Sequence, residues 1–207
     1  MGVLNGSITY TLFHVDGELP DRYTEEFLDK IREFEFRPLT PESEDDTSMG
    51  WVRVDDMLRW DFDKDSVFRA GHLLLSMRTD KWSLPGALLR ATVAQRVEQF
   101  AAEKGRVKLS KLEKDTIRET VRREFKGQML PSAGAIDMAW DLERGQLRLW
   151  SQSGRVKESF LELFESTFGL RLHENGPYMA ARALDLSSSE LQAIGRVEYE
   201  DFAPNAG

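Results

Sequence analysis

The chain has 207 residues, 41% of them hydrophobic, 10% aromatic and 31% charged, with a net charge of −8 and no cysteine. That length suits one large domain or two small ones sharing an interface, and the lack of cysteine excludes disulfides, thiolate metal sites and cysteine nucleophiles. No stretch approaches the roughly 18 apolar residues of a membrane span. The start, MGVLNGSITYTLFHV, has neither the basic nor the long apolar region of a secretory signal. A cytoplasmic globular protein with no membrane attachment is expected.

In chain order, residues 7–15 are rich in β-branched and aromatic types and end at an Asp16-Gly17 turn, which predicts a first strand. Asp21 is a candidate N-cap for a helix over 21–35, since Tyr23, Phe27, Ile31 and Phe34 recur at helical spacing. Residues 38–49 are polar, acidic and proline-marked, hence a loop, and 50–54 read as a short strand. The continuous apolar run in 66–78 predicts one buried strand. Ser83 is a candidate cap for a helix with Pro85 in its first turn and an apolar stripe of Leu89, Val93, Val97 and Phe100. The helix stops near Gly105, and after a connector over 106–109 the pair Ser110 and Glu113 forms a capping box opening a second helix to about residue 125.

Beyond Pro131 the period changes to two. AIDMAWDL and LRLWSQ flank Gly145 as a hairpin, and residues 155–168 form an amphipathic helix followed by an edge strand at 170–173. A helix near 188–194 and an acidic tail, EYEDF, complete the chain. Mixed order with hairpins predicts an α+β fold with antiparallel sheets and a central helix pair. The expected organisation is an N-terminal α+β region over 1–82, a helix pair over 83–130, a hairpin and helix over 131–175 that complete the core, and an extension over 176–207.

Charge is unevenly distributed. Residues 15–47 hold 4 basic and 12 acidic residues, whereas 86–126 hold 11 basic and 6 acidic. On a helical wheel Lys114, Arg118, Arg122 and Lys126 all fall within roughly 60° of Lys111, a row about 22 Å long. Arg106 and Lys108 precede it on the connector, and Arg123 lies further round. Such a row is able to follow a phosphate backbone. The same pattern also describes a solvated face carrying the intrahelical pairs Lys111–Asp115 and Glu119–Arg123. Aromatic residues are not interleaved with the row, which favours contact with duplex backbone over base stacking.

Signatures of catalysis are weak. His14, His72 and His173 are scattered, and Asp61, Asp63 and Asp65 begin like a calcium loop but lack its later glycine and glutamate. No phosphate-cradling loop, dinucleotide fingerprint or nucleophile elbow is present, so no cofactor is expected. Asp137 and Asp141 share one face of a strand and have the spacing for a two-metal site, which a surface-facing strand explains equally well.

The order and spacing of SLPGALLRATVAQRVEQFAAEKGRVKLSKLEKDTIRETV, MLPSAGAIDMAWDLERGQLRLWS and FESTFGLRL, with Met49-Gly50-Trp51-Val52 upstream, resemble the recombination-associated protein RdgC family over residues 5–175. The resemblance implies a protein that binds double-stranded DNA without sequence preference, forms ring-shaped homodimers, associates with the nucleoid and restrains a RecA-type recombinase. It carries onto Arg106, Lys108, Lys111, Lys114 and Arg118 the family's basic connector and helix. Family members continue for about a hundred further residues that help close the ring, so the expectation is either a short member that is an open dimer or a monomer, or a repurposed one. The family's exonuclease label comes with no established catalytic set. The leading expectation is therefore a DNA-binding, non-enzymatic protein whose site is Arg106, Lys108, Lys111, Lys114, Arg118, Arg122 and Lys126. A protein-interaction subunit on the same scaffold is the second reading, and a metal-dependent exonuclease the weakest.

Overall fold

The computed structural model describes residues 2–6, 9–176 and 189–190. The strands are β1 (Thr11–Asp16), β2 (Thr47–Val52), β3 (Phe68–Arg69), β4 (His72–Lys81), β5 (Ser132–Asp141), β6 (Gln146–Leu149) and β7 (Arg171–Glu174). The helices are α1 (Tyr23–Glu33), α2 (Lys64–Val67), α3 (Gly86–Glu103), α4 (Lys111–Gly127) and α5 (Gly154–Phe168). The strands form one antiparallel sheet in the order β2-β4-β5-β6-β1-β7, with β3 paired to β4 beside β2. The α+β class read from the sequence is the class observed.

Burial follows the strand period. Leu73, Leu75 and Met77 of β4, Met138 and Trp140 of β5, Leu147 and Leu149 of β6 and Phe13 of β1 join one core with Phe27 and Ile31 of α1 and Phe160, Leu163, Phe164 and Phe168 of α5. Both long core helices therefore cover the same face of the sheet. Their aromatic rings interlock: Phe164 lies 4.8 Å from Phe168 and 5.4 Å from Trp140, and Phe27 lies 5.0 Å from Phe168. Trp51 on β2 is fully buried and donates its indole hydrogen to Thr167 Oγ1 at 2.8 Å, fastening α5 to that edge of the sheet. Gly50 beside it has to be glycine, because a Cβ there would lie 2.6 Å from Phe36 Cα where the 34–36 segment crosses.

Several expected boundaries move. The run over 66–78 is not one strand. Asp63 and Ser66 form a capping box for the short α2, and Ala70 and Gly71, both at positive φ, turn β3 back into β4. An apolar run hides that turn, since alanine is not a usual residue at positive φ. β2 begins at Thr47, inside the expected loop, because it has ten-residue β4 to pair with from Lys81 onward. Asp21 does not cap α1, whose N-cap position is Arg22, and Ser83 does not cap α3, whose N-cap is Pro85 in extended conformation. Ser110 and Glu113 form the expected capping box of α4, and Gly169 ends α5 in the left-handed conformation. Of the expected helix over 188–194 only residues 189–190 are described, and both are helical. The start of the first expected strand and the acidic tail lie outside the described residues.

Replacing Thr167 by valine keeps its volume but leaves the buried Trp51 indole without an acceptor. The change is expected to cost about 1–3 kcal/mol of unfolding free energy, measured by urea titration with an unchanged slope.

Candidate nucleic-acid interface

β4 and β5 are neighbours along their whole length, from His72↔Asp141 to Lys81↔Ser132, and everything between them leaves the sheet from one end as the α3–α4 pair. α3 and α4 pack on each other, and among the described residues neither packs extensively against another helix or strand. α3 buries no residue: its stripe of Leu89, Val93, Val97 and Phe100 is only half-buried. The pair is thus a projecting arm. An ion pair of 3.1 Å between Arg96 and Glu124 joins its two helices, and an apolar groove of about 410 Å³ runs between them, lined in part by Phe100, Leu112, Ile117 and Val121.

The basic row does not lie on one uniform face. Lys108, Lys111 and Lys114 are exposed and have no acidic side chain within 4.0 Å among the described residues. Arg106 reaches Glu113 at 3.4 Å and Arg118 reaches Asp115 at 3.8 Å, both in water, where such pairs are weak and exchangeable. The capping box with Ser110 is also what holds the Glu113 carboxyl below its usual range.

Arg122 and Lys126 play another part, and the expectation that they belong to an open row is corrected. Arg122 donates to Asp46, and Lys126, only 4% exposed, places Nζ 3.0 Å from the other Asp46 oxygen and donates to the Ser43 carbonyl at 2.9 Å. The Asp46 carbonyl in turn accepts from Trp82 N, just past β4. Hydrogen bonding from Arg122 holds the Asp46 carboxyl below its ordinary value and raises Arg122. The wheel placed these cations beside Lys111, but the helix enters the body of the protein at its C-terminal turn, and there the same face meets the acidic loop. The expected pairs Lys111–Asp115 and Glu119–Arg123 are likewise replaced by Asp115–Arg118 and Glu119–Arg122, the latter at 4.0 Å. Arg123 is exposed.

The acidic residues weighed for catalysis have local partners. Asp137 accepts from Ser76 Oγ at 2.5 Å and Val3 N at 2.9 Å, while Asp141 accepts from Arg144 N at 3.0 Å and lies 3.8 Å from His72. Asp61 pairs with Arg59 and Asp63 caps α2. Among the described residues no group of three or more histidines or carboxylates is placed to hold a metal ion, and no helix is long and apolar enough to cross a membrane.

The sequence profile of the family described as "Putative exonuclease, RdgC" matches residues 10–180, which takes in the sheet, both core helices and the whole arm. The chain belongs to the RdgC family. A recombination-associated protein RdgC from Psychromonas ingrahamii is 29% identical over 143 residues, covering 67% of this chain and 44% of that protein. The chain therefore spans less than half the length of this curated relative.

Two outcomes separate the two halves of the row. Lys126→Ala is expected to lower unfolding free energy by about 1–3 kcal/mol, because it strips a buried cation from its two acceptors. Lys111→Ala should leave stability within about 0.5 kcal/mol. For Asp46 the sign follows from its lowered pKa. Its contribution is complete above the ordinary carboxylate value and is lost as pH falls through the depressed folded value. Unfolding measured from neutral pH down to about pH 3 should show an acid limb that is shallower in Asp46→Asn.

Proposed function

We propose that this chain binds double-stranded DNA without sequence preference through the arm, with Lys108, Lys111 and Lys114 as the leading phosphate contacts. Arg106 and Arg118 join them by exchanging a solvated carboxylate for a phosphate. The observation that carries the reading is a set of three lysines, without an acidic partner among the described residues, on a projecting element of an otherwise acidic protein. A phosphate backbone displaces nothing when it meets them, and a local positive field attracts a polyanion whatever the net charge. No exposed aromatic residue stands between these cations, so the reading is of backbone contact and not of base recognition.

Family membership supports the biological frame. A relative is named for recombination, and on this reading the chain modulates recombination or protects DNA at the nucleoid, restrains a RecA-type recombinase and acts as a homodimer. It binds rather than cuts. Asp137 and Asp141, the carboxylates best spaced for phosphoryl chemistry, are held by Ser76, Val3 and Arg144. Linear duplex incubated with magnesium or manganese should keep its length.

A second reading has its own observation. Leu88, Val107 and Leu112 are 57%, 97% and 77% exposed on the arm, beside the apolar groove. A protein subunit that docks there would use the scaffold with little affinity for DNA.

Binding to a long duplex as a function of salt tests the first reading. Three to five phosphate contacts give a log–log slope of about −3 to about −4.5. Lys111→Glu/Lys114→Glu should abolish binding, while Arg123→Glu should weaken it far less. Binding that survives the double change would move the site off the arm. A flat salt response in the parent protein would favour the protein-docking reading.

A further inference from the structure

The arm is attached to the sheet by two single stretches of chain, residues 82–85 and 128–131. Ser132 Oγ donates to the Lys81 carbonyl at 3.0 Å and ties the two stretches together where they leave the sheet. That bond alone leaves the arm free to swing about the root. Among the described residues, the side-chain contacts that cross from the arm to the body centre on Asp46. Asp46 receives Arg122 and Lys126 of α4 on its carboxylate and Trp82 N on its carbonyl, and Ser43 three residues earlier takes the Lys126 ammonium. Three segments far apart in the chain thus converge on it: the approach to β2, the exit of β4 and the last turns of α4. The node is partly withdrawn from water on the arm's side, where Lys126 is 4% exposed, and its charge-assisted hydrogen bonds are stronger there than those of the solvated pairs further along α4.

We infer that Asp46 is a positioning residue for the interface: it pins the root of the arm and so holds Lys108, Lys111 and Lys114 in one orientation relative to the sheet. The inference rests on the DNA-binding reading for its consequence but not for its mechanical content. A pre-oriented row meets successive phosphates without an ordering cost at the moment of binding, whereas a swinging arm has to be ordered by the DNA itself.

Electrostatics and geometry give opposite signs here, which makes the inference testable. Asp46→Asn removes a negative charge and frees two cations close to the row. If charge alone mattered, duplex binding would tighten and its salt slope would steepen. If Asp46 positions the arm, binding weakens by about fivefold at fixed salt.

The absence of cysteine allows the arm to be followed directly. Val107→Cys at the exposed tip and Glu143→Cys on the β5–β6 turn carry one spin label each, and pulsed electron paramagnetic resonance reads the distance between them. One narrow distribution is expected in this labelled parent and in its Asp45→Asn control. Asp46→Asn should broaden it, and Arg122→Gln, which breaks the same node from the other side, should do so independently. Asp46→Glu, which keeps the carboxylate, should restore both the narrow distribution and the affinity. An unchanged distribution in both disrupting variants overturns the inference, as does a broadened one with unweakened DNA binding. A parent protein that binds no duplex defeats the DNA-binding reading instead, and the distance distributions still decide whether Asp46 pins the arm.

Discussion

The full-length pairing of β4 with β5 is the constraint on which the rest of the molecule depends. Ten residues of each strand are matched from His72↔Asp141 to Lys81↔Ser132, so residues 82–131 have no place inside the sheet. They emerge from one end, where a two-residue turn would have been enough to join the strands. The excursion is tolerated because loop closure costs little more as a loop grows, and because a helical hairpin satisfies its own backbone hydrogen bonds away from the core. Everything proposed about function rests on this projection, since it presents a helix face to the surroundings without exposing the core.

The same ladder distributes burial. With α1 and α5 both on one face, the aromatic residues of β2, β5 and α5 can interlock, and the Trp51–Thr167 hydrogen bond fixes how α5 lies across them. The core is complete without the arm: neither α3 nor α4 contributes a residue to it. Stability and the candidate interface are therefore largely separate properties of this chain. They meet at the root, where Lys126 is buried and Asp46 holds the end of α4. The opposite face of β4 contributes its own closed ion pair, Arg78 with Asp80, both buried and with the guanidinium 4.2 Å from the Phe36 ring, a further case of charge used for architecture.

Seven cations were available to a reading of the sequence as one row, and the structure divides them by partner. Among the described residues three have no acidic partner, two are loosely paired in water and two are bound to Asp46. A helical wheel records angle about an axis and nothing about what stands beside it. The Ser110–Glu113 box was right about where the helix starts. Nothing local connected Asp46 with Arg122, 76 residues further on. Within PESEDD, Asp46 is one acidic residue of four and carries no mark that separates it from the others.

Local chemistry thus determined the elements whose signals are local: the helices from their period and capping box, the β5–β6 hairpin from its glycine, the α+β class from their order, and the family from the spacing of all of them. Each of those signals is complete within a few residues of chain. The split of the 66–78 run, the early start of β2 and the division of the basic row were decided only in three dimensions. A strand's length is set by its neighbour, and a cation's availability by whichever carboxylate the fold brings to it. Those partners are chosen by tertiary packing and not by position in the chain.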